Sequence, residues 1–224
     1  IYRRRALDKE QAHRFLRPTS FKTFWPRRNR EYINKLIVGC YNFFRMNDIR
    51  PFQDFELTRK LFPESSFDCY SVGLMQPYIM HNILGCQTLQ MLDIDWRIMA
   101  AHHQLLQFYQ AGHMATPDQA LKKIKELRFG WIAFYPGGMR PRNPISLNSL
   151  CTFTTDICLE NLVQFQNNLS NLEAVRLNLA ALHDGAFERE EPANLQVVYL
   201  SNAIEEVYTS RAQFEQLLKR TAAA

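Results

Sequence analysis

The fold is decided by residues 67–107, FDCYSVGLMQPYIMHNILGCQTLQMLDIDWRIMAAHHQLLQ. This stretch alternates short apolar runs with helical segments, and its pieces are 67–73, 78–84, 88–92 and a helix that begins at 96. Gly73 ends the first run and Asp93 follows the second, so the order is strand, glycine turn, helix, strand and carboxylate. That order is typical of a βαβ unit. Asp93 lies 20 positions after Gly73, about the spacing at which such a carboxylate accepts hydrogen bonds from a ribose.

Strand and helix patterns continue towards the C-terminus. The predicted elements are a strand over 151–156 (CTFTTD), a long helix over 159–182, a strand over 195–200 (LQVVYL) and a last helix over 204–220. Upstream, a short helix is predicted over 54–61, and Thr116 and Pro117 predict the N-cap and first residue of a helix that ends at Arg128. Strands that alternate with helices predict an α/β fold, a Rossmann-like and mainly parallel sheet with helices on both faces.

The charge divides the chain into two predicted parts. Net charge is +5 over the 224 residues, but residues 1–60 alone have a net charge of +9 and the remainder −4. We therefore predict a basic helical N-terminal extension or cap over 1–62 and a Rossmann-like cofactor-binding domain over 63–224. An insertion at about 111–150 is expected to lie over the strand ends. Two interpretations of the basic arm stay open, docking onto the acidic body or contact with a phosphate-rich partner such as nucleic acid, and the first is favoured.

Composition and cysteine content indicate the kind of environment. No stretch approaches the ~18 apolar residues that span a bilayer, so no transmembrane segment is predicted, and no apolar signal segment opens the chain. The five cysteines are odd in number, form no Cys-x-x-Cys pair and lie mostly in apolar runs. We expect buried free thiols, a reducing compartment and a cytoplasmic location, with neither a disulfide framework nor a zinc site.

Polar residues follow several of the predicted strands. Parallel strands place their carboxyl ends at one edge of a sheet, so these residues are expected to converge on one crevice. They are Ser71, Gly73, Asp93, Asp156, Ser201 and Asn202. For each aspartate the alternative is an N-cap, which satisfies free backbone N–H groups at a helix start. Arg140 and Arg142 lie in the insertion and are predicted either to hold an anionic substrate or to be ordinary solvated charges. No metal is expected at His102-His103, because adjacent helical residues point about 100° apart.

The ordered set SVG, LDID, TTDI and VVYLSNAIEEV, over roughly 67–220, resembles the class I S-adenosylmethionine-dependent methyltransferases. The resemblance implies S-adenosyl-L-methionine as the cofactor and a small-molecule or lipid-like acceptor. It implies that Ser71, Gly73, Asp93, Asp156, Ile157 and Ser201 bind the cofactor, while Asn202 and Glu205 border the transferred group as the candidate catalytic residues. The chain departs from the family pattern in offering one glycine and no preceding acid at the first turn.

Three functions follow from these features. The leading one is transfer of a methyl group, or of the aminocarboxypropyl arm of the same cofactor. The second is a non-catalytic Rossmann-like module whose basic arm contacts RNA, anionic lipid or a protein. A nicotinamide-dependent oxidoreductase is third, because its Gly-x-Gly-x-x-Gly turn is missing. The sequence also lacks the motifs of other enzyme classes, namely a nucleophile elbow, His-Glu-x-x-His and a phosphate-cradling loop.

Overall fold

Four parallel strands form the central sheet in a computed structural model that describes residues 51–93, 96–127, 155–179, 194–201 and 210–223. The strands are β1 Phe67–Val72, β2 Thr88–Asp93, β3 Ala174–Leu179 and β4 Leu195–Tyr199. Their order across the sheet is β3-β2-β1-β4, and every neighbouring pair is parallel. This order corresponds to the first four strands of the Rossmann order 3-2-1-4-5-6, and the predicted α/β class is confirmed.

Six α-helices accompany the sheet within the described ranges. They are α1 Pro51–Leu61, α2 Gln76–Leu84, α3 Trp96–Gln110, α4 Pro117–Glu126, α5 Thr155–Asn168 and α6 Arg211–Ala223. Local chemistry explains several of their ends. Gly85 closes α2 in the left-handed conformation, with φ at 64°, and its N–H bonds the carbonyl of His81. Thr116 caps α4 as predicted, because its hydroxyl accepts from the N–H of Gln119 at 3.3 Å.

Helices cover both faces of the sheet, as the sequence predicts. On one face, alternate residues of β1 and β2 join the main core with α1 to α5. The residues that β1 and β2 contribute to that face are Phe67, Cys69, Leu89 and Met91. The opposite face forms a second, smaller core in which Tyr70, Val72 and Leu92 pack with Leu217 of α6. Successive side chains of a strand point to opposite faces of the sheet, so alternate residues of one strand belong to the two different cores.

The third strand lies where the sequence predicts a helix. The predicted helix over 159–182 ends at Asn168 as α5, a 3-10 turn follows over Leu169–Asn171, and β3 then pairs with β2 from Ala174 onward. Ala, Arg and Leu of β3 (AVRLNL) are good helix formers, but from Val175 onward the segment also alternates between apolar and polar. Pairing along the whole length of β2 favours the strand, since tertiary contacts override a weak local preference.

The last helix begins later than predicted. Ser210 lies outside any helix, and α6 starts at Arg211 rather than belonging to a single helix from 204. Ser210 and Gln213 cap this start reciprocally: the N–H of Gln213 bonds Ser210 Oγ at 3.3 Å, and the N–H of Ser210 bonds Gln213 Oε1 at 2.9 Å. This capping box satisfies two backbone donors at the helix start and explains the boundary.

Two helices outside the predicted cofactor-binding core are part of the same packing. Phe55 of α1 is buried in the main core and contacts the ring of Tyr199, so α1 packs with the α/β unit rather than apart from it. Ala120 and Ile124 of α4 are also buried in the main core, against α5. The apolar face of α4 is therefore part of the helical layer. Residues 128–150 lie outside the described part of the chain, and the expectation that 111–150 lie over the strand ends stays a prediction.

A disulfide joins Cys69 of β1 to Cys86, the residue after the Gly85 cap, and Cys158 is also disulfide-bonded. The prediction of free thiols is wrong for these three cysteines. Burial in apolar runs was the correct part of that prediction, since all three side chains are inaccessible, but apolar surroundings do not distinguish a thiol from a disulfide. The expectation of a cytoplasmic location rested on free thiols and loses that support. Of the helices in the described ranges, none has the length and apolar character needed to span a bilayer.

Candidate functional site

The site is centred on the turn between β1 and α2. Gly73 follows β1 with φ at +83°, a backbone conformation that glycine adopts at little cost. In the parallel register Val72 pairs with Leu92, so the next residues along the two strands, Gly73 and Asp93, lie side by side. The N–H of Gly73 donates to Asp93 Oδ2 at 3.2 Å. The predicted juxtaposition of glycine turn and carboxylate is therefore present, in the form of a direct hydrogen bond.

The carbonyl of Gly73 is held from the other side by a histidine. His102 of α3 is completely buried, and its Nε2 lies 2.9 Å from the Gly73 oxygen. Its Nδ1 lies 2.9 Å from the hydroxyl of Tyr78, which is on α2 and is also buried. One chain of hydrogen bonds therefore links the start of α2, the middle of α3 and the turn that follows β1.

These partners determine the protonation of the imidazole. A carbonyl oxygen only accepts, so Nε2 bears the hydrogen and donates to Gly73, which leaves Nδ1 to accept from the Tyr78 hydroxyl. Burial lowers the pKa of His102 to about 4, with the bond to Gly73 acting in the opposite direction. Burial also raises the pKa of Tyr78 well above its ordinary value, which keeps the phenol protonated as a donor. At neutral pH the ring is therefore uncharged and has one tautomer.

The carboxyl end of β4 lies next to this turn. Ser71 pairs with Tyr199 across the β1–β4 ladder, and Ser201 follows two residues later, half-buried and with φ at 45°. A positive φ is uncommon for serine and marks a constrained backbone at this edge. Ser71 itself is fully buried, and its hydroxyl donates to the carbonyl of Val72 at 3.3 Å. Its side chain is thus engaged within β1.

Asp156 and Ile157 do not end a strand. Both lie in the first turn of α5 and are exposed, whereas the sequence predicts a strand over 151–156 that ends at the acid. Of that segment, residues 151–154 lie outside the described part of the chain. An acid in the first turn of a helix is stabilised by the helix dipole, but α5 already begins at Thr155, so Asp156 is not its N-cap either. The carbonyl of Ile157 accepts from Asn161 Nδ2 at 2.9 Å, within the helix.

Four predicted site residues lie outside the described residues. They are Asn202, Glu205, Arg140 and Arg142. The structure thus brings together Gly73, Asp93 and the end of β4, and it does not bring Asp156 to the same edge through a strand.

Sequence reasoning missed His102 and Tyr78. It considered His102 only as a metal ligand, although Ile98, His102, Leu105 and Tyr109 follow one helical stripe whose members are all buried. The helical spacing of this stripe could have predicted from the sequence that His102 is buried. Within the described ranges, no three or more His, Cys, Asp and Glu side chains are grouped so as to hold a metal ion.

Comparison with models of protein families, with curated proteins and with solved structures finds no match for this chain.

Proposed function

We propose that the carboxyl edge of β1, β2 and β4 binds S-adenosyl-L-methionine and that the protein is a transferase, most simply a methyltransferase. The observation that supports this proposal is the hydrogen bond from the Gly73 N–H to the Asp93 carboxylate. It joins a glycine turn to an acid beside the place where the strand order reverses, between β1 and β4. Ligands of open α/β sheets bind outside the carboxyl ends of the strands at such a reversal.

The chemistry of the turn favours a ligand without phosphate. A pyrophosphate is held by free backbone N–H groups at the start of a helix, but here the N–H of Gly73 is already donated to a carboxylate. Pro77 at the beginning of α2 removes another backbone donor. A nicotinamide dinucleotide is therefore disfavoured, whereas S-adenosylmethionine has a ribose and a cationic sulfonium and no phosphate.

Asp93 is the residue that would hold the ribose. A carboxylate accepts several hydrogen bonds at once, so the bond from Gly73 is compatible with further bonds from the two ribose hydroxyls. Ser201, at the adjacent end of β4, would border the methionine part of the ligand. Asn202 and Glu205 follow it directly along the chain and are our candidates for the residues next to the acceptor.

The transfer requires little covalent chemistry from the protein itself. The cofactor supplies an activated methyl group, which passes from sulfur to the acceptor nucleophile while S-adenosylhomocysteine leaves and any acceptor proton is released. Positioning of the two reactants supplies most of the acceleration. Glu205 is the candidate to take that proton. The acceptor is proposed to be a small or lipid-like molecule, which Arg140 and Arg142 would hold if it is anionic.

Calorimetric titration with S-adenosylmethionine, S-adenosylhomocysteine and NAD tests the proposal. We expect the first two to bind and NAD not to bind. Asp93→Asn keeps one oxygen for the Gly73 N–H but replaces the other by a donor, so we expect affinity to fall by about tenfold or more. Asp118→Asn is the matched control, because the same change on exposed α4, at a residue with no assigned role in binding, should leave affinity unaltered. Folded protein that binds neither sulfur compound would refute the proposal.

A second candidate is a non-catalytic binding module, and one feature of the turn favours it. A Cβ on Gly73 would lie 2.5 Å from Gln76 Oε1, so the missing side chain makes room for Gln76 as well as for any ligand. In that case the basic segment 1–62 would make the functional contact, with RNA as the first partner to test. Affinity for a short single-stranded RNA should then fall steeply as salt rises, and salt-independent or absent binding would exclude this function.

A further inference from the structure

Two side chains hold the peptide groups on either side of the Gly73 Cα. The N–H before it donates to Asp93 Oδ2 at 3.2 Å, and the carbonyl after it accepts from His102 Nε2 at 2.9 Å. Each bond orients one peptide plane, and together they define φ and ψ at this residue. The turn is thus held in its left-handed conformation by one side chain at the sheet edge and by another that is fully buried.

We propose that His102 is a positioning residue for the ligand site: through its bond to the Gly73 carbonyl it holds the β1–α2 turn in the conformation that sets the Asp93 carboxylate for a nucleoside ligand. The part about the ligand rests on the function proposed above. The part about the turn is a property of the protein alone and can be measured without a ligand.

The ring is itself oriented by a second bond. Tyr78 donates to Nδ1 at 2.9 Å, and its ring packs 5.5 Å from the imidazole, centroid to centroid. Tyr78 lies only five residues after Gly73, on the helix that the turn leads into. The turn, α2 and α3 are therefore closed into one ring of bonds, in which a movement of the turn must either displace the imidazole or break its bond to Gly73.

The chemistry selects a histidine at this position. The site needs a donor that reaches a carbonyl and an acceptor that takes a phenol proton, and both must be uncharged because no solvent reaches them. A neutral imidazole offers both on one rigid ring. Glutamine offers an amide donor and a carbonyl acceptor, whereas leucine fills a similar volume and offers neither.

Three variants test this role: His102→Leu, His102→Gln and Tyr78→Phe. The first readout is the dissociation constant for S-adenosylhomocysteine. The second needs no ligand and consists of hydrogen exchange at the Gly73 amide together with the 15N shifts of the His102 ring. In the wild type we expect shifts of an Nε2–H tautomer and a protected Gly73 amide.

His102→Leu should weaken binding about tenfold, the effect of one lost hydrogen bond that orients a binding group, and should speed exchange at Gly73. His102→Gln should recover most of both. Tyr78→Phe removes only a hydroxyl, so the protein should stay folded, the Gly73 carbonyl should keep the hydrogen on Nε2, and the change in binding should be smaller.

Unchanged exchange at Gly73 in His102→Leu would overturn the proposal, as would equal losses in the Leu and Gln variants, which would indicate packing alone. If the wild type does not bind S-adenosylhomocysteine, the proposed function fails, and exchange at Gly73 still decides whether His102 holds the turn.

Discussion

Gly73 shows how one residue can meet three independent requirements. Its positive φ disfavours a side chain, and the space where a Cβ would stand is occupied by the end of Gln76. Its two peptide groups are bonded by Asp93 and His102. The residue is therefore constrained by backbone conformation, by packing and by hydrogen bonding, and each constraint can be measured separately.

Gly73→Ala is expected to lower the free energy of unfolding by about 2 to 3 kcal/mol, of which roughly 1 kcal/mol is the left-handed conformation and the rest the displacement of Gln76. Gly112→Ala is the matched control. Gly112 has a φ of +69°, but nothing lies within 4 Å of the point where its Cβ would stand, so this variant should lose only the conformational part. Urea unfolding of both variants measures the difference, and equal losses would show that Gln76 adapts without cost.

The lowered pKa of His102 predicts that the folded protein loses stability in acid. Its folded pKa is about 4, below the ordinary 6.5, so the unfolded chain takes up a proton that the folded chain does not as pH falls between these values. The stability is fully present above pH 6.5 and falls by roughly 3 kcal/mol by a pH of about 4.

This dependence is measured by urea unfolding across that pH range. Burial also lowers the pKa of His81, which acts in the same direction, so the wild type must be compared with His102→Gln. The stability of the wild type relative to His102→Gln should fall by roughly 3 kcal/mol between pH 6.5 and a pH of about 4, and a difference that stays constant with pH would contradict a neutral buried His102.

At the scale of elements, the amino end of the sheet is joined by a buried polar cluster. Asp68 of β1 is inaccessible, and its Oδ1 accepts from Thr88 Oγ1 of β2 at 2.8 Å and from Asn194 Nδ2 at 3.1 Å. Asn194 also donates to Gln87 Oε1 at 2.8 Å and directly precedes β4. One carboxylate oxygen thus connects three neighbouring strands at the edge opposite the candidate site, and it supports their register.

Asp68→Ala is expected to destabilise the protein by about 2 to 4 kcal/mol, because two buried donors lose their acceptor. Asp68→Asn keeps that acceptor oxygen and should lose less. Chemical denaturation of the two variants gives the comparison. If both lose the same stability, the bonds to Thr88 and Asn194 do not hold the strands together.

At the scale of the whole molecule, the disulfide ties the core of β1 to the loop between α2 and β2. Cys69 and Cys86 are 17 residues apart in the chain. A loop of this length restricts the unfolded chain and stabilises the folded one by about 3 kcal/mol. The disulfide and the main core therefore both stabilise the same βαβ unit.

Cys86→Ser is expected to cost about that amount in the absence of reductant. With reductant, the wild type loses the bond too, and the two proteins should become nearly equal; any effect of reducing Cys158 is common to both. A peptide linking Cys69 to Cys86 should appear in a non-reduced digest. An equal difference with and without reductant would show that packing of the side chain, not the bond, is responsible.

The local patterns of the sequence determined the βαβ unit and the last strand. Apolar runs of strand length, Gly73 and Gly85 at their turns and Asp93 at the second strand end are all short-range signals, and the structure has each where it was predicted. The hydrogen bond between Gly73 and Asp93 follows from the same signals, since parallel register brings the ends of adjacent strands together.

Tertiary structure alone decided the rest. Several residues of β3 suit a helix, and pairing with the side of β2 that faces away from β1 selects the strand. Asp156 lies at a helix start and not at a strand end. Whether Cys69 and Cys86 bond, and whether His102 meets Gly73, depends on groups brought together from separate elements. Sequence spacing indicates on which face of its helix or strand a residue lies. Which residue of another element it contacts is decided only when the helices and the sheet pack together.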